Sequence, residues 1–238
     1  MKRIIIIILA IMLPTISLKA QNNDFVEIVR YASKAPSGHN TQPWKFRISG
    51  DTITVLPNFA DALPFADGNH RELFISLGCA TENLCIAATH FGYRSQIVNY
   101  GEQGIVVALE KTENIQEDPL FCQIEKRQTN RSVYKSRKIT EDTLTILKSI
   151  SFESNIHFHF AEIGSPLADT LTQYIVKGNE IQMQDKEFKR ELVSWMRFNK
   201  KQINETKNGL TYETLGIPSL PGFLSKPVVG MFMKAGKQ

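Results

Sequence analysis

The run Ala35-Pro36-Ser37-Gly38-His39-Asn40-Thr41-Gln42-Pro43-Trp44 constrains this chain more than any other stretch. Pro36 and Pro43 fix φ and push the residues before them toward extended geometry, while Gly38 opens a conformation closed to other residues. No hydrophobic period survives across it, so it reads as a stiff loop with unpaired backbone N–H groups. On its N-terminal side Phe25, Ile28, Val29 and Ala32 recur at helical spacing behind a capping Asn23 or Asp24, which predicts a helix to about Lys34. On its C-terminal side Trp44 to Ile48 alternates apolar and basic residues, and Ile53 to Pro57 answers it across Gly50-Asp51, which predicts a tight hairpin. The loop is therefore pinned between a helix end and a strand start. Ser37, His39, Asn40, Thr41 and Gln42 crowd donors and acceptors into it, and an amide offers both at once, as the C=O/N–H edge of a heterocycle such as an isoalloxazine or pteridine requires. The same residue types are also ordinary turn formers, and composition alone leaves both readings open.

Further along, Asp67 to Phe91 carries Leu73, Leu77, Leu84, Ala88 and Phe91 on one side of a predicted central helix, stopped by Gly92. Asn58 to Asn69 before it is expected to run over the surface. Ser95 to Asn99 and Gly104 to Leu109 form a second strand pair. A short helix is expected over Phe121 to Arg127, and another after Thr140 with Leu144, Ile146, Leu147 and Ile150 inward. Ile156 to Phe160 reads as a strand, and Pro166 to Asn204 as helical with a break at Gly178. Two hairpins with helices between them describe an α+β fold, an antiparallel or mixed sheet packed between helices, rather than a repeated βαβ pattern. No Gly-x-Gly-x-x-Gly or Walker loop is present, which disfavours a Rossmann domain.

The N-terminus reads as an export signal over residues 1–20: Met1-Lys2-Arg3, an apolar run from Ile4 to Leu13, and a polar exit to Ala20. The apolar run is short for a bilayer span, so a secreted or periplasmic protein with no stable membrane anchor after cleavage is expected. Loss of Lys2, Arg3 and Lys19 lowers the formal net charge from +4 to +1, which removes the support for nucleic-acid binding. Cys79, Cys85 and Cys122 form no spaced framework, and the five histidines make no metal-ligand pattern.

Arg30-x-x-x-x-Ala35-Pro36-Ser37-x-His39-Asn40-x-Gln42-Pro43-Trp44 resembles the N-terminal signature of the nitroreductase family of FMN-dependent oxidoreductases, and more narrowly its Acg-type branch. Three further segments are similar to that branch: Asp67-Gly68-x-x-Arg71-Glu72-Leu73 with Gly78, Arg127-Gln128-Thr129-Asn130-Arg131-Ser132-x-Tyr134, and Glu191-Leu192-x-x-Trp195-x-Arg197. The resemblance spans scattered motifs from Val26 to Pro218, so a nitroreductase-like domain is expected over residues 21–218, followed by a Pro/Gly-rich tail over 219–238. Members of the branch are longer, and the fold is expected to be incomplete at the C-terminus, with exposed apolar surface that a homodimer would cover.

The resemblance implies FMN as cofactor, a reduced nicotinamide, NAD(P)H, as transient electron donor, and a small planar acceptor such as a nitroaromatic or quinone. It carries over Arg30, Ser37, His39, Asn40 and Gln42 as flavin contacts. Arg30 either meets the flavin phosphate or serves the helix terminus. Arg127 and Arg131, four apart, would share one face of a helical turn suited to an anion; the alternative is a solvated basic stretch. Because the cofactor carries the chemistry, no catalytic residue is assigned. A non-catalytic FMN-binding or sequestering protein, and a degenerate fragment of a longer protein, remain the competing readings.

Overall fold

The computed structural model describes residues 23–129, 131, 137–151, 154–221, 223 and 227. The expected export signal, residues 130 and 132–136 of the Thr-Asn-Arg segment, and most of the tail lie outside them. The fold is α+β. Helix α1, residues 23–32, leads through the 35–43 loop into β1 (Trp44–Ser49) and β2 (Thr52–Pro57). Helix α2 (Arg71–His90) precedes β3 (Tyr93–Gly101) and β4 (Gly104–Lys111). The four strands form an antiparallel sheet in the order β1-β2-β4-β3.

Alternation decides which face is covered. Ile53 and Val55 of β2 and Val107 and Leu109 of β4 turn inward, where they meet Phe25, Ile28 and Ala32 of α1 and Leu73, Leu77, Leu84 and Ala88 of α2. Phe25 meets the ring of Tyr93 edge-on at 5.3 Å, and the Tyr93 hydroxyl donates to Asp24 at 3.0 Å. The Asp67 carboxylate accepts the backbone N–H groups of Glu72 and Leu73 at 3.0 and 2.9 Å, which caps α2 and fixes the direction of the preceding connection. That connection is less superficial than its polar sequence implies: Leu63 and Asp67 are both buried.

The rest is helical and thinly packed: α3 (Phe121–Ile124), α4 (Glu141–Lys148), α5 (Pro166–Gln182), α6 (Lys186–Ser194) and α7 (Lys200–Thr206). Two-residue strands β5 (Met196–Arg197) and β6 (Leu210–Thr211) pair in parallel, a contact too short for the sequence to announce. Three expectations fail here. Ile156 to Phe160 is not a strand, because an alternating pattern needs a neighbour to complete its ladder and none of the described strands offers one. Helix α4 forms with the Thr140 hydroxyl as cap but buries none of its apolar residues. Helix α5 runs on through Gly178, whose cost in a helix interior is about 1 kcal/mol and insufficient to break it. The break falls at Asp185, whose carboxylate accepts from Glu187 and Phe188 to start α6.

Candidate functional site

The 35–43 loop is wound into a conformation that its residue types resist. His39, Asn40 and Gln42 sit at φ of +46°, +54° and +56°, so three of four consecutive non-glycine residues occupy the left-handed region. Each such residue costs on the order of 1 kcal/mol, least for asparagine, and persists only where its surroundings over-determine it. Local bonds supply part of that. The Gln42 N–H donates to the Ser37 hydroxyl at 3.0 Å, and the N–H of Asn40 and of Thr41 close tight turns onto Ser37 and Gly38.

The remainder comes from the far end of the chain. The Asn40 side-chain amide donates to the Gly209 carbonyl at 3.2 Å, and the Gly209 N–H returns a bond to the Asn40 carbonyl at 2.9 Å. The Gln42 side-chain amide donates to the Lys207 carbonyl at 2.7 Å. The 207–209 turn is itself held by Arg197, whose guanidinium donates to Thr206 Oγ1 at 2.9 Å, Asn208 Oδ1 at 2.8 Å and the Ser194 carbonyl at 2.8 Å. Burial pushes this guanidinium below the usual arginine pKa. Only glycine fits at 209: φ is +86°, and a Cβ there would lie 2.4 Å from the Trp195 carbonyl oxygen. The loop and the turn thus form a clasp in which one amide N–H of Asn40 and one of Gln42 are spent.

Within the clasp the Nδ1 atom of His39 is buried without a hydrogen-bond partner among the described residues. Burial lowers the His39 pKa, the Glu191 carboxylate pulls it up, and the Arg131 charge lowers it again. Glu191 is anchored by accepting from the backbone N–H groups of Phe65 and Ala66 at 3.1 and 2.9 Å, which ties α6 to the 58–70 connection. A narrow crevice between Gly38, Thr41 and Pro43 on one side and Glu72, Leu73 and Ser76 on the other is little more than water-sized. A tricyclic ring does not fit in that crevice.

The sequence-derived residues are distributed unevenly. Ser37, His39, Asn40 and Gln42 come together, and Arg131 lies within electrostatic reach of His39. Arg127 sits in the coil after α3, where its charge is felt by Cys79 instead, so the two arginines do not share a helical turn. Arg30 pairs with Glu27 at 2.8 Å and with Glu125 at 3.5 Å and stacks over Tyr31, so its guanidinium is engaged at the outer end of α1; Glu27 raises its pKa further. Among the described residues neither Arg127 nor Arg131 makes an ion pair. Arg197, Gly209 and Lys207 were not recognised as parts of the site from sequence. The Glu191-to-Arg197 motif and Asn208-Gly209 were visible, but nothing in their spacing indicates that they return to residue 40. His70 was missed too: it holds φ of +59°, and among the described residues its Nδ1 is likewise buried without a hydrogen-bond partner.

The donor set suits a flavin in kind. The unpartnered imidazole nitrogen and the remaining amide groups of Asn40 and Gln42 match a ring edge, and Arg131 could meet a phosphate, whereas Arg30 is already committed to carboxylates.

The chain is similar to two nitroreductases. Both are from Mycobacterium tuberculosis, strains CDC 1551 / Oshkosh and ATCC 25618 / H37Rv, and each bears the name "Putative NAD(P)H nitroreductase". Each is 21% identical over 174 residues, covering 71% of this chain and 49% of the relative. The chain therefore spans about half the length of these nitroreductases. No family model matches it.

Proposed function

We propose that this protein is an exported FMN-dependent oxidoreductase that takes reducing equivalents from NAD(P)H and delivers them to a nitroaromatic, quinone or similar planar electrophile. The observation that carries the proposal is the clasped loop. Three left-handed non-glycine residues, with an imidazole nitrogen buried and unmatched among the described residues, support a use for the surface so formed. The names of the two relatives favour nicotinamide-linked reduction of a nitro compound over other uses of such a surface.

When bound, FMN supplies the hydride chemistry. The chain's part is orientation. The Lys207 and Gly209 carbonyls fix which way the Gln42 and Asn40 amides face, leaving their side-chain oxygens to accept an N–H from a ring edge. His39, kept neutral by burial, offers one ring nitrogen as donor or acceptor to a bound group without introducing a charge. Arg131 supplies positive charge for a phosphate on the same side.

The test is the visible spectrum of the purified protein. Flavin bands near-stoichiometric with protein are expected, together with anaerobic bleaching by a reduced nicotinamide and reoxidation by a nitroarene. Refolded protein that stays colourless in excess FMN, and does not quench its emission, overturns the reading; bound flavin that no nicotinamide bleaches leaves a binding protein rather than an enzyme.

A further inference from the structure

The turn that closes the clasp is also chemically fragile. Asn208-Gly209 is the single Asn-Gly pair in the sequence. Asparagine is a labile residue, and a glycine after it removes the Cβ that elsewhere keeps the next backbone nitrogen away from the side-chain carbonyl. The Gly209 nitrogen can then attack Asn208 Cγ: the N–Cγ bond forms, the Cγ–Nδ2 bond breaks, and ammonia leaves behind a cyclic imide. Water opens the imide, giving aspartate or, when the former backbone carbonyl is attacked, isoaspartate. Water enters and ammonia departs, with no oxidant or cofactor consumed. The turn cannot escape this chemistry by changing residue 209, since only glycine fits there.

In the closed clasp both reacting groups are committed elsewhere. The Gly209 N–H donates to the Asn40 carbonyl at 2.9 Å, and Asn208 Oδ1 accepts from Arg197 Nη2 at 2.8 Å. The Asn208 backbone carbonyl accepts from Thr206 Oγ1 at 3.3 Å, and the Gly209 carbonyl accepts from the Asn40 amide at 3.2 Å. Ring closure needs Cγ swung onto the nitrogen, which these bonds oppose while they last. Water is at hand, because Asn208 is only half-buried while Gly209 is buried. We propose that Asn208-Gly209 is a deamidation site gated by the clasp: silent while the 39–42 bend is closed on the 207–209 turn, and converted to isoaspartate when it opens, after which the clasp cannot reset. The last step follows from length. Isoaspartate adds one carbon, about 1.5 Å, to the main chain ahead of the Gly209 nitrogen, and an N–H···O bond tolerates only roughly 2.7–3.2 Å. Gly209 then loses its register with Asn40. Aspartate, the other product, keeps the length and offers Arg197 a charged acceptor. The inference uses only the clasp and stands whether or not flavin binds.

Peptide mapping across 208–209, on full-length protein aged in mildly alkaline buffer, tests it. Slow loss of the Asn208 amide is expected from the unaltered protein, and much faster loss from protein unfolded in urea. Asn40→Gly keeps a left-handed backbone and removes the amide bond to the Gly209 carbonyl, while Arg197→Gln frees Asn208 Oδ1. Each should speed deamidation by roughly tenfold, the equilibrium weight of one such bond, with the near-ultraviolet circular dichroism of the sheet core unchanged. Should Arg197→Gln fail to fold, Asn40→Gly and the urea-unfolded chain carry the comparison. Isoaspartyl protein, separated by its added negative charge, should exchange the Gly209 amide hydrogen about tenfold faster than unmodified protein or more. Asn208→Asp, which has the charge without the extra carbon, should not. Equal deamidation rates in unaltered, variant and unfolded protein overturn the gating, as does an Asn208 amide that survives even in urea. An isoaspartyl form whose Gly209 amide is as protected as before overturns the loss of the clasp.

Discussion

At the scale of the residue, Gln42 is under opposed demands. Its left-handed backbone favours glycine, while its side chain is needed at the Lys207 carbonyl. Gln42→Ala removes that bond and keeps the backbone cost, so urea unfolding should report a loss of roughly 1–2 kcal/mol together with lower FMN occupancy. Gly209→Ala should cost about 2 kcal/mol or more, since its Cβ would collide with the Trp195 carbonyl and the turn must move. Equal occupancy in either variant would remove the clasp from the site. His39 gives a pH dependence of definite sign. Its pKa is lowered in the folded state, so between that value and the ordinary histidine pKa of about 6.5 the unfolded chain binds more protons. Stability should therefore be complete above about pH 6.5 and fall as pH drops toward the folded pKa, then cease to change on this account. His39→Gln should flatten that segment of the stability profile.

At the scale of the element, the caps and hairpins are where local sequence and final structure agree. The hairpin across Gly50-Asp51 and the helix from Arg71 follow from turn chemistry and periodicity, because each is closed by residues a few positions apart. Asp67→Ala should lower stability by about 1–2 kcal/mol, read as a drop in melting temperature, since two N–H groups at the start of α2 lose their acceptor. The loop was legible in sequence as a candidate site, but its clasp was not: Asn40 and Gly209 lie 169 residues apart, and no period or spacing connects them. Arg30 carried two readings from sequence, a phosphate contact or service at the helix terminus. Its place in the motif implied a phosphate contact, whereas Glu125, far away in sequence, lies across its path together with Glu27. Ile156 to Phe160 failed as a strand because alternation describes a face, not a neighbour.

At the scale of the whole molecule, stability is concentrated in the N-terminal half. Leu77 of α2 is fully buried in the core cluster shared with α1 and the sheet, and Leu77→Ala should cost about 2–5 kcal/mol by denaturant titration. Helices α4 and α5 bury none of their residues among the described ones and add little to it. The span of the clasp also orders events in time. The sheet and its two covering helices are complete once residue 111 is available, but the bend at residues 39–42 cannot close until residue 209 has been synthesised. A nascent polypeptide thus carries a finished scaffold beside a bend that is still unset.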